Sequence, residues 1–232
     1  MYPRDAFLGE GVVEKLDIVI AVIAATGGLG LAAMSLVDAF KAAPGGGVSR
    51  IGFQHIRQVL VLFDGTLKRA VGEQWETVIL SHWINGRSRS DQIGAIRSLL
   101  RLGLNPETSR QLADLGNVAP DALSAAAAKL VKGGAMTEAE VNLIGRVEAA
   151  VEARLDAAFD LAEQAYRNQS RVLAGAIAVS LAVVASFLIK DSPGWGVGVL
   201  IGLLAVPIAP IAKDLVSALT AAASAVKSSR KG

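Results

Sequence analysis

The sequence predicts an all-α integral membrane protein with three transmembrane helices, a cytoplasmic helical domain, and a long helix running continuously from that domain into the second span. Three observations predict it. Hydrophobic residues make up 52% of the 232 positions and charged residues only 19%, against about 25% charged in an ordinary soluble chain. The apolar residues gather into three uncharged runs, 18–37, 172–189 and 195–212, each within the roughly 17–25 residues that carry a helix across hydrocarbon. Strand signals are nearly absent, because no sustained period-two alternation bounded by turn residues occurs.

The first run reads as a retained anchor. A cleaved signal peptide needs a basic n-region and a short apolar core. Here Asp5, Glu10, Glu14 and Asp17 outweigh Arg4 and Lys15, and the core is twenty residues long. Pro44, Gly45, Gly46 and Gly47 then form a linker. Residues 41–171 carry sixteen of the twenty-three Lys and Arg, the tail after Ala212 four, the N-terminal flank two and the 190–194 turn one. Cytoplasmic segments collect basic residues. The expected topology is therefore a multi-pass protein of a cell inner membrane, with the N-terminus outside and the middle domain and C-terminus cytoplasmic. The Ala- and Arg-rich composition suggests a bacterial source.

The middle region reads as short helices. Ser49 is placed to cap a helix over 50–63, and a second runs over 66–84 to Asn85-Gly86. Ser90 is placed to cap 91–102, with Gly103 as its stop. Pro106 suits a first turn before 107–115 and Gly116, and Pro120 opens a helix that Gly133-Gly134 ends after Lys132. Thr137 and Glu140 have the spacing of a capping box. From there Val141, Ile144, Val147, Val151, Leu155, Ala158, Ala162 and Tyr166 recur at helical spacing, close to 3.67 residues per step from Ile144 to Tyr166, a nearly straight stripe leading into the second span. One helix of about fifty residues, on the order of 75 Å long, is expected. Its stripe packs on the chain's own short helices or, in part, on a neighbouring subunit. The expected organisation is an anchor over 1–41, a bundle over 42–136, the long helix over 137–190, and a third span with a basic tail over 191–232.

Charge divides within the domain. Residues 50–110 carry nine basic and five acidic groups, and 111–171 carry six basic and nine acidic groups. The +4 and −3 halves can pair within one chain or steer contacts between copies.

Small residues mark helix-packing faces, since they let helix backbones approach closely where lipid supplies no hydrophobic drive. Gly194, Gly198 and Gly202 form GxxxGxxxG at the third span; Ala174, Ala178 and Ala182 repeat the spacing in the second, and Ala24, Gly28 and Ala32 in the first. The second and third spans are expected to pack as a hairpin, leaving the face of the first for contact between chains. Pro207 and Pro210 are expected to bend the third span, and Trp195 suits an interfacial position. None of the three runs holds a charge, which argues against proton relays, voltage sensing and ion-coupled transport.

No catalytic constellation emerges. There is no cysteine, which removes thiol nucleophiles, disulfides and Cys-ligated metals. Residues 26–33 imitate a dinucleotide-binding turn, but no βαβ alternation follows and Arg50 stands where an acid is wanted. Residues 61–67 resemble the DxDGT loop of haloacid-dehalogenase-type phosphatases, yet Leu62 occupies the nucleophile position. Without that carboxylate nothing attacks phosphorus, and Asp64 reads as a helix-end residue. His55 and His82 lack ligand spacing, and Trp75 and Trp83 read as core. Arg87, Arg89, Arg97 and Arg101 form the densest basic patch, and Lys227, Arg230 and Lys231 a basic tail. Both suit anionic headgroups or an acidic protein partner on the cytoplasmic face; nucleic acid would want more charge and interleaved aromatics. The expectation is a non-enzymatic, self-associating membrane scaffold or complex subunit, a homo-oligomer without cofactor or metal. An oligomeric channel or membrane-permeabilising effector, and a membrane-anchored adaptor, are the alternatives.

Overall fold

A computed structural model describes residues 9–40, 47–189 and 194–229. Every regular element among them is helical: α1 (Gly9–Ala39), α2 (Ser49–Leu60), α3 (Asp64–Val71), α4 (Trp75–Ile84), α5 (Arg89–Gly103), α6 (Ser109–Gly116), α7 (Pro120–Lys132), α8 (Glu138–Leu188) and α9 (Trp195–Ser229), with a 3₁₀ turn at Val61–Phe63. By length and composition, stretches of α1, α8 and α9 can cross a membrane. The chain divides into two compact units, Met1–Phe40 with Gln169–Gly232, and Lys41–Asn168. Residues of α8 belong to both units. Of the proposed linker, Pro44, Gly45 and Gly46 lie outside the described residues, as does the turn from Lys190 to Pro193.

The helical domain, Lys41–Asn168, is built around bulky side chains. Phe53, Ile56 and Leu60 of α2, Phe63 of the 3₁₀ turn and Leu67 of α3 meet Ile93, Ile96 and Leu100 of α5, Leu123 of α7, and Val151, Leu155 and Phe159 of α8 in one core. The stripe of α8 from Ile144 to Ala162 is therefore filled by the chain's own short helices, although Val141, at its start, is exposed. Trp75 is buried and donates its indole N–H to Asp64 at 2.8 Å; Trp83 donates to the Ser49 carbonyl at 2.9 Å and lies 6.0 Å from the Phe159 ring.

Several boundaries differ from expectation for local reasons. The helix expected over 50–63 tightens into the 3₁₀ turn after Leu60, and Ser49 is inside α2, buried, with no hydrogen-bond partner for its hydroxyl. The helix expected over 66–84 is two, because Gly72 takes φ +79°. Lys68 clasps that break, reaching Asp64 at 3.2 Å and Glu73 at 3.1 Å. Asp64 itself opens α3. The cap of α5 is Ser88 rather than Ser90, its hydroxyl accepting the Asp91 N–H at 3.1 Å, the usual N-cap to N3 spacing. Asn105 and Thr108 exchange side chain-to-backbone bonds at 2.8 and 3.1 Å, which holds residues 105–108 as a turn and delays α6 to Ser109. Pro120, Gly133 and the Thr137–Glu140 box act where the sequence places them.

In the apolar unit α9 does not end at Ala212 but runs through Pro207, Pro210, Lys213 and Asp214 to Ser229. The Ala- and Ser-rich stretch 213–229 contains neither Gly nor Pro to stop a helix.

Candidate functional site

Two arrangements bring the sequence-marked residues together. The first is the small-residue packing of the apolar unit. Ala174, Ala178 and Ala182 of α8 are all buried. A Cβ on Gly198 would sit 3.0 Å from the Ala182 carbonyl, and one on Gly202 would collide with backbone at Ala178 and Val179. The two glycines therefore set how closely α8 and α9 approach. Gly194 does not share that role; with φ +98° it precedes α9, where its carbonyl accepts from Val197 and Gly198.

For α1 the structure selects residues the spacing did not. Its packed face is Thr26, Gly27, Gly30, Ala33 and Val37, with Gly27 against Ala212 and Gly30 against Ala205 and Ala209. Ala24, Gly28 and Ala32 are exposed. At about 100° per residue they fall with Ala21, Ser35 and Ala39, also exposed, on one stripe opposite the α9-packed face. Small side chains line this stripe, and among the described residues no other helix lies within 4 Å of where a Cβ on Gly28 would sit. An apolar cleft of about 380 Å³ between α1, α8 and α9 is lined without a charged group; Thr26 and Ser186 are its hydroxyl-bearing residues.

The second arrangement is a charge ladder between α5 and α8. Arg89 bonds Asp156 at 2.9 Å and Asp160 at 2.5 Å, and also donates to the Asp156 carbonyl. Arg97 reaches Glu152 at 2.9 Å and Glu148 at 3.3 Å, while Arg101 approaches Glu148 only to 3.9 Å. The hydrogen bond that Arg89 donates to Asp160, opposed by partial burial, raises the Arg89 pKa further above its already high value. At the start of α8, Lys129 bridges Glu140 at 2.7 Å. That contact, reinforced by the Thr137 N–H, holds the Glu140 carboxyl below the usual carboxylate range. The +4 and −3 halves thus pair within one chain along this ladder.

Arg87 stays exposed and, after burial, is the second cause that pushes the His82 pKa below its ordinary value. Lys227 is in α9, its side chain beyond those described; Arg230 and Lys231 lie outside the described residues. Among the described residues no three His, Cys, Asp or Glu cluster as metal ligands.

A third feature escaped the sequence reading. A groove of about 610 Å³ opens between α3, α5 and α7, lined by Arg69, Ser98, Arg101, Leu102, Leu104, Leu130 and Val131. Its signal was present: Leu102 stands off the buried stripe of Ile93, Ile96 and Leu100, with no local reason to face water. No known protein family, curated protein or solved structure matches this chain.

Proposed function

We propose that this protein is a non-enzymatic, self-associating scaffold or structural subunit of a bacterial inner-membrane complex, N-terminus outside and C-terminus cytoplasmic. The observation that carries the reading is the exposed small-residue stripe of α1, left over after α1 has packed on α9. Such a face is where a second helix can approach closely enough for van der Waals contact to hold it in lipid. Membrane residence is supported by the inside-out distribution of the apolar unit, which buries Ala and Gly while Phe187 is 74% and Leu188 79% exposed.

The test is subunit counting of the protein in native lipid nanodiscs. Wild type is expected as a discrete oligomer. Gly28→Leu is expected to reduce it towards monomer without disturbing the fold, since position 28 faces open space in the single chain. A monomeric wild type, or an oligomer indifferent to Gly28→Leu, overturns the reading. Conductance recordings on the same oligomer separate a scaffold, which is silent, from a pore.

A further inference from the structure

We propose that the groove between α3, α5 and α7 docks an acidic amphipathic helix of a partner protein. The inference does not rest on self-association. Leu102 and Val131, which flank the groove, are 69% and 59% exposed and are the two most exposed large aliphatic residues described in the helical domain. Leu104, buried, and Leu130, half-buried, complete an apolar floor. Helix-in-groove recognition uses such a floor to take apolar anchors at i, i+3 and i+4.

The charge of the lining fixes the sign of the partner. The groove contains two arginines and no carboxylate. Elsewhere in the domain Arg57, Lys68, Arg89, Arg97 and Lys129 are satisfied by carboxylates at 3.3 Å or less, while Arg110, Arg146 and Arg154, which do not line the groove, lack an ion pair among the described residues. Arg69 makes no ion pair among the described residues, and Arg101 has only the 3.9 Å approach to Glu148. Two guanidiniums with capacity to spare, beside exposed Leu and Val, call for carboxylates arranged around apolar side chains.

Concavity favours a helix over a bilayer, because a flat headgroup surface leaves a recess of this size unfilled. The walls are also built in. Gly103 lets the end of α5 lie directly against the Thr66 carbonyl of α3, where a Cβ would collide, so the spacing of α3 and α5 belongs to the fold.

The test uses the full chain in zwitterionic nanodiscs. A fluorescent amphipathic peptide of Leu and Glu is titrated against it, with a counterpart in which every Glu is Lys. The Glu peptide is expected to bind and the Lys peptide not. Arg69→Glu should weaken the Glu peptide about tenfold or more and bring in the Lys peptide. Leu102→Asp should abolish binding, with the helical circular dichroism of both variants unchanged; both positions are exposed, so the fold survives. Absence of Glu-peptide binding, equal binding of the two peptides, or indifference to both substitutions overturns the proposal. So does a result in which anionic vesicles bind through Leu102 while neither peptide does, because the occupant is then a lipid surface.

Discussion

The helical domain and the apolar unit solve opposite packing problems with the same element. The domain encloses Phe53, Phe63, Phe159, Ile56 and Leu155 and turns charged ladders outward. The apolar unit encloses Ala174, Ala178, Ala205, Ala209 and Gly202 and leaves Ile18, Leu31, Leu188 and Leu203 uncovered. In water the drive is removal of apolar area, so large side chains go inside. Where the surroundings are themselves apolar that drive vanishes, and backbone proximity between small residues takes over. The contrast teaches that burial by itself says little here; the size class of the buried residues is what separates the two units.

The largest effect should come from exchanging the rules. Phe159→Ala, in the domain core beside Trp83, is expected to cost about 3–5 kcal/mol. Leu203→Ala, an equally apolar truncation on the exposed side of α9, should change stability by less than about 0.5 kcal/mol in lipid. Denaturant titration in nanodiscs measures both, and comparable losses would erase the distinction between the units.

A smaller effect should separate the ladder from the core it covers. Arg97 is part-exposed, so solvent screens its bonds to Glu148 and Glu152. Coupling of Arg97→Ala to Glu152→Ala in a double-mutant cycle is expected at about 0.5–1 kcal/mol at low salt, shrinking as salt rises. A salt-independent coupling would mean that the α5–α8 contact is packing rather than charge.

The smallest effect lies at the α8 N-terminus. Because Lys129 and the Thr137 N–H lower the Glu140 pKa, its contribution is full above the ordinary carboxylate range and fades as pH falls through the lowered value. Amide exchange in the first turn of α8 should therefore speed up in acid. Glu140→Gln should exchange faster already at neutral pH and lose most of that acid dependence. An unchanged profile in the variant would assign the protection to the helix alone.

Much of this was legible locally. The uncharged runs specify where long apolar helices form, since intrahelical bonding is the cheapest way to satisfy a backbone surrounded by apolar side chains. Pro120, Gly133 and the Thr137–Glu140 box act within one turn of themselves and read correctly. Gly72 was legible as a glycine but not as a break, because its φ of +79° follows from the turn that Lys68 and Trp75 tie to Asp64. The groove residue Arg69 was invisible, since only the meeting of three helices makes it a neighbour of Leu102 and Val131.

The sequence by itself determined the helical class, the three apolar stretches, the unbroken run of α8 from its capping box to Leu188, and the imbalance between a basic and an acidic half. These depend on periodicity, composition and caps, which act over a few residues. Only the tertiary structure decided that the two halves pair along α5 and α8, that Gly27 and Gly30 rather than Gly28 meet α9, and that Leu102 and Val131 stay uncovered. Each is a choice between faces of a helix that carry similar residues. Such a choice is settled by which partner fits against the face, and that partner lies far away in the chain.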